Sequence, residues 1–141
     1  MPSWTTLVIL AFVGAAAAWM LGQQKGGNVI NPITKDFAVA PQMAPADLAE
    51  AAKQGYKSIM VNRPDGEGGA SQPAFAEMEA AAKALGLEIR YVPVVSGAVT
   101  PADAERFQAA YRDLPKPVLA YCRSGTRSTM LWNMSQQALQ R

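Results

Sequence analysis

The sequence contains no histidine and only one cysteine, Cys122, in 141 residues. Without histidine, a cysteine-and-histidine zinc site and a histidine-based catalytic triad are both excluded, and a single cysteine forbids any intrachain disulfide. No metal site and no cofactor is expected. There is also little charge imbalance: the formal net charge is +2, and the basic residues are scattered rather than striped. The electrostatic footprint of a nucleic-acid binder is therefore absent, and nucleic acid is not an expected partner.

From Trp4 to Leu21 the chain runs without a charged residue. As a helix this stretch would span roughly 27 Å, close to the hydrocarbon thickness of a bilayer. Trp4 and Trp19 sit near its ends, where indole rings favour the membrane interface. Residues 1–22 are thus expected to form a single-pass transmembrane anchor. A secretory signal segment is the alternative, although the leader Met1-Pro2-Ser3 lacks the basic residue of a signal's n-region. Lys25 and Lys35 follow the span and no basic side chain precedes it, which places the domain on the cytoplasmic side. Residues 23–34 are rich in Gly, Gln, Asn and Pro and read as a linker, so the folded catalytic domain is expected over residues 35–141.

The domain alternates strand and helix. Lys57 to Asn62 and Glu88 to Val94 are apolar runs rich in β-branched or aromatic residues, each preceded by a helical segment that ends at a glycine. The first helix should start at Pro45 and stop before Gly55, burying Leu48, Ala49 and Ala52. The second should start at Pro73 and stop before Gly86, with Phe75, Met78, Ala82 and Leu85 at helical spacing. A third opens at Thr100, with Asp103 at N3, and carries Phe107, Ala110 and Tyr111 inward. Pro117 to Tyr121 reads as a buried strand, Ser128 onward as the last helix, and Phe37 to Ala40 as an edge strand. Met130, Trp132 and Met134 read as core. This order implies an α/β domain with a mostly parallel central sheet flanked by helices.

Ligands of open α/β sheets bind beyond the carboxyl ends of the strands, where Cys122-Arg123-Ser124-Gly125-Thr126-Arg127 joins a strand to a helix. Backbone N–H groups of such a loop and the positive end of the helix cradle an anion and favour a thiolate. Arg123 and Arg127 add positive charge, Ser124 and Thr126 add loop donors, Gly125 permits a sharp bend, and Ser128 can hydrogen-bond the thiolate or the backbone. A lone cysteine is more often a plain core residue. Here the turn, the glycine and both arginines fall within six residues.

Gln42, the run from Gly55 to Glu67, Gln72-Pro73, the run from Gly86 to Val94, and Pro117 to Ser128 together resemble the beta-lactamase-hydrolase-like phosphatase-like family, relatives of the dual-specificity and tyrosine phosphatases. The resemblance implies a phosphatase-like fold, Cys122 as nucleophile and Arg127 as anion clamp. The loop is one residue shorter between cysteine and arginine than in those phosphatases and is similar to that of rhodanese sulfurtransferases. The aspartate that dual-specificity phosphatases keep after the strand matching Tyr91 to Val94 is replaced here by Val95-Ser96-Gly97. Asp65 or Glu67, in the Arg63-to-Glu67 segment, could supply a displaced acid or steer an arginine. Equally, Pro64-Asp65-Gly66 could be a simple β-turn.

The leading expectation is a sulfurtransferase that forms a persulfide on Cys122 from a small anionic donor such as thiosulfate and passes it to an acceptor thiol. The alternative is a phosphoester hydrolase working through a Cys122 thiophosphate. A third possibility is a non-catalytic anion-binding or redox-sensing module.

Overall fold

A computed structural model describes residues 29–140. The anchor or signal segment expected over residues 1–22 lies outside these. Among the described residues, no helix is long and apolar enough to cross a membrane.

Five strands form one sheet in the order β1-β2-β5-β3-β4: β1 Asn31–Thr34, β2 Phe37–Ala40, β3 Ser58–Val61, β4 Glu88–Tyr91 and β5 Val118–Tyr121. β1 pairs antiparallel with β2, and every other pairing is parallel. The helices are α1 Pro45–Lys53, α2 Phe75–Ala84, α3 Pro101–Asp113 and α4 Thr126–Leu139.

The period-two alternation of strand side chains divides the core into two layers. Phe37, Val39, Met60, Val118 and Ala120 pack with Phe107 and Ala110 of α3 and Leu131 and Trp132 of α4. Ala38, Ala40, Ile59, Val61, Leu119 and Tyr121 pack with Leu48 and Ala51 of α1 and Met78 and Ala82 of α2. Strands covered on both faces have no polar side to show, which explains the uninterrupted apolar runs of β2 and β5. Phe37 anchors one layer, stacking on Trp132 at a centroid distance of 4.2 Å and meeting Phe107 and Tyr111 edge-on.

Several expectations are corrected. Residues 31–34, read as linker from composition, form β1, because a short exposed strand on a sheet edge needs little apolar content. β2 is consequently interior and wholly buried rather than an edge strand. α1 buries Leu48 and Ala51, one turn apart, while Ala49 points outward. α2 begins at Phe75, two residues after Pro73, and Leu85, beyond its last turn, is exposed. Thr100 caps α3 as expected: its hydroxyl accepts from Asp103 N–H, and Asp103 Oδ2 accepts from Thr100 N–H.

Candidate active site

β5 lies between β2 and β3, parallel to both, so three carboxyl ends open on one rim. Tyr121 C=O accepts from Asn62 N–H at 2.9 Å, and Arg123 C=O accepts from Gln42 N–H at 3.1 Å. The loop after Tyr121 is thereby held on both sides by segments distant in sequence. It turns into α4 at Gly125, whose φ of +90° lies in the left-handed region that side chains disfavour. A Cβ at Gly125 would come no closer than 3.6 Å to Ala40 O, so the turn itself, not space, requires glycine.

Cys122 follows β5 and is only 1% exposed. Its Sγ accepts from Gly125 N–H at 3.1 Å. Burial is the largest single influence on this thiol and opposes ionisation. The backbone and hydroxyl of Ser128, with the N–H groups of Ser124 and Gly125, together outweigh it and hold the pKa below the ordinary cysteine value. Ser128 Oγ also donates to Asn62 Oδ1 at 2.9 Å, and Asn62 Nδ2 in turn donates to Val92 O at 2.9 Å. The hydroxyl has one proton, so it serves the sulfur or Asn62 at any moment, not both.

A cavity of about 340 Å³ opens over the sulfur, lined by Cys122, Arg123, Ser124, Thr126, Arg127 and, opposite, Ser96, Gly97, Val99 and Met130. Among the described residues no carboxylate lines it. Arg123, Ser124 and Thr126 are exposed, and Ser124 Oγ lies 3.1 Å from Thr126 Oγ1.

Arg127 is buried and already engaged. Nη1 donates to Glu67 Oε2 at 3.0 Å and to Val94 O at 2.8 Å, and Nη2 donates to Glu67 Oε1 at 2.9 Å. Only Nε is left without a partner. Glu67 Oε1 accepts as well from Arg63 Nε at 2.9 Å, and Arg63 Nη1 reaches Gln42 Oε1 at 3.1 Å. The hydrogen bond from Arg127, ahead of a burial cost and the bond from Arg63, keeps the Glu67 carboxyl below its usual range. Glu67 is thus an anion at neutral pH, unsuited to donate a proton.

Asp65, named as a catalytic candidate, is placed elsewhere: its Oδ1 accepts from Phe75 N–H at 2.8 Å, at the start of α2, and it does not line the cavity. The turn reading of its segment holds, with Glu67 N–H donating to Pro64 O at 3.3 Å and Gly66 at φ +81°. Of the two acidic residues, Glu67 takes the arginine-steering position. Met130 is not core but 45% exposed at the cavity wall. Its spacing of three from Arg127 puts it on the same helix face, a signal available in the sequence. The role of Asn62 was missed, although a polar residue closing a buried strand is itself such a signal.

The family model described as "Beta-lactamase hydrolase-like protein, phosphatase-like domain" matches residues 30–139. A beta-lactamase hydrolase-like protein of Xylella fastidiosa is 38% identical over 104 residues, 74% of this chain and 24% of that protein. The chain thus spans about a quarter of the length of the curated relatives it matches. A crystal structure from Neisseria meningitidis described as a "putative phosphatase" superposes with a TM-score of 0.68 at 36% identity, covering 73% of this chain and 72% of that one. One from Shewanella putrefaciens, described in the same words, gives 0.68 at 18% identity over 82% and 72%. The latter establishes likeness of fold alone.

Proposed function

The chain belongs to the beta-lactamase hydrolase-like, phosphatase-like domain family, and from that premise we propose that it is a cysteine-dependent enzyme acting on small oxyanions by sulfur transfer. The observation that carries this reading is a thiolate-favouring pocket in which, among the described residues, no carboxylic acid stands ready to donate the proton phosphoester cleavage needs. Among the described residues no carboxylate lines the cavity, Asp65 is bound to the start of α2, and Glu67 is an ionised partner of two arginines. In a monoester an alkoxide leaves and must be protonated, and lacking a positioned acid costs about 10²–10⁴ in rate.

Sulfur transfer has no such requirement. Cys122 Sγ⁻ attacks the outer sulfur of thiosulfate, an S–S bond forms as another breaks, and sulfite leaves with the electron pair. The thiolate of an acceptor then attacks the outer sulfur of the persulfide, taking it up and returning Cys122 to its thiolate form. The N–H groups of Ser124, Gly125 and Ser128 ring the Cys122 sulfur, which carries the charge before the first step and again after the second. Arg123, Arg127 and the loop hydroxyls of Ser124 and Thr126 would bind the oxyanion of the donor.

A second reading, phosphoester hydrolysis through a Cys122 thiophosphate, is favoured by the comparisons. The matched family is described as phosphatase-like, and the 36%-identical structure carries a phosphatase description. The two readings separate on incubating the full chain with thiosulfate and, in parallel, with an aryl phosphate bearing a good leaving group. An adduct of one sulfur atom in the intact mass, removed by reductant, supports sulfur transfer. Rapid aryl phosphate turnover with no sulfur adduct overturns it in favour of the hydrolase.

A further inference from the structure

A second cavity, of about 750 Å³, adjoins the one over Cys122 and has no part in the chemistry above. Ser124, Thr126 and Met130 line both, so the two meet at the active loop. The larger one is a groove between α4 and the stretch formed by Val29, Asn31 and the end of β2 at Val39 and Ala40. Met130, Asn133, Met134 and Gln137 fall at i, i+3, i+4 and i+7, one face of α4 that leads away from the loop. From Thr126 to Gln137 that face rises about 16 Å, the length of about five residues of extended chain. Its chemistry differs from that of the sulfur pocket. Arg123 and Arg127 border the sulfur, whereas among the described residues no charged side chain lines the groove. Val29, which is 75% exposed, and the two methionines offer apolar contact. The exposed side-chain amides of Asn31, Asn133 and Gln137 can each donate and accept.

From this continuity and this neutrality we propose that the groove holds the body of the acceptor, an uncharged extended peptide segment whose cysteine thiol reaches the sulfur pocket past Met130. The proposal rests on the sulfur-transfer reading for its chemistry, though not for binding. A charged segment would shed water in the groove and meet no counter-ion. A bare alkyl chain would strip water from three amides and return no hydrogen bond to them, whereas a peptide backbone offers a donor and an acceptor at every residue. In the transfer step the acceptor thiol gives its proton to solvent and its sulfur bonds the outer sulfur of the Cys122 persulfide. The bond from that sulfur to Cys122 breaks with its electron pair on Cys122, which leaves as the thiolate.

The test loads the full chain with thiosulfate and times discharge of the persulfide at equal thiolate concentration by three thiols. These are a capped neutral pentapeptide with cysteine at one end, the same peptide with aspartates at the other end, and mercaptoethanol. The neutral peptide is expected to react about tenfold faster than either, and Asn133→Ala combined with Gln137→Ala to remove that advantage while mercaptoethanol changes less than about twofold. Equal rates for all three thiols, or variants that slow them alike, overturn the proposal. So does an octyl thiol that outpaces the peptide and ignores the amide variants, because the groove then takes an alkyl chain. Binding is read separately in the full chain carrying Cys122→Ser, titrated with the neutral peptide bearing serine for cysteine and followed by NMR of the Asn133 and Gln137 side-chain amides. Saturable shifts support the groove even where the double variant fails to fold, and unmoved signals overturn it. Shifts in a chain that forms no persulfide leave the groove standing as a peptide site and remove the sulfur-transfer reading.

Discussion

The backbone N–H of Gly125 points at the sulfur of Cys122 across 3.1 Å, and the residue that supplies it sits at φ +90°. Nucleophile and turn therefore share one residue, which donates to the sulfur and makes the left-handed bend that leads into α4. Gly125→Ala meets no steric clash but must adopt a conformation costing about 1–2 kcal/mol. It is expected to lower stability by about that amount in urea unfolding. If the bend relaxes instead, the hydrogen bond to a charged sulfur goes, and iodoacetamide should alkylate Cys122 about 10- to 100-fold more slowly at neutral pH.

The depressed thiol pKa predicts two pH effects. Alkylation of Cys122 in the folded chain should reach half its maximal rate below the ordinary cysteine value of about 8.5, and Ser128→Ala, which removes one of the donors to the sulfur, should move that midpoint upward. The folded chain also gives up this proton at lower pH than the unfolded one, so unfolding takes up a proton between the two values. Stability should rise with pH across that window, level off above the unfolded value and lose the contribution as pH falls through the folded one. Cys122→Ala should lack this slope in unfolding curves collected across the window.

Asp65→Ala separates a helix-start contact from an acid. Loss of the bond to Phe75 N–H should cost about 1 kcal/mol of stability. Turnover of either substrate should stay within about twofold. A fall of the 10²–10⁴ associated with removing a general acid would return Asp65 to the chemistry.

Cys122→Ser should abolish turnover of thiosulfate and aryl phosphate alike while anion affinity survives, because the hydroxyl is a poor nucleophile at neutral pH and every N–H donor remains. Steady-state rates and calorimetric titration of sulfate against the variant check both halves. Residual activity above a trace would remove Cys122 from the central step.

Loop length is the remaining variable. One glycine inserted between Gly125 and Thr126 restores the phosphatase-type spacing without demanding a particular φ. It should lower sulfur transfer and raise hydrolysis of an activated aryl phosphate, each on the order of 10²-fold, the usual consequence of moving a reacting group by about 1 Å. Loss of both activities together would show that length tunes packing of the loop rather than choice of substrate.

Patterns that act over a few residues could be read directly from the sequence. Thr100 with Asp103, Pro45 at a helix start, and the buried run ending at Cys122 all reappear in the structure, because capping, proline's fixed φ and strand burial are local effects. The loop donors to the sulfur were legible for the same reason. What pairs across the sheet was not. β2 looked like an edge because the strand that covers it, Asn31–Thr34, has too polar a composition to announce itself. Glu67 and Arg127 are 60 residues apart, and no spacing rule connects them. The bond that Asp65 accepts from Phe75 N–H, ten residues on, escaped the sequence for the same reason.

That covering strand governs how the molecule can be trimmed. Cutting at Lys35, where composition suggests that order begins, would remove β1 and leave the outer edge of Phe37–Ala40 unpaired. A bare hydrophobic edge with free N–H and C=O groups is a template for recruiting another chain, so the shortened protein would be prone to self-association and insolubility. The safe truncation point lies upstream of Asn31, with the polar, proline-bearing strand kept as the guard of the sheet.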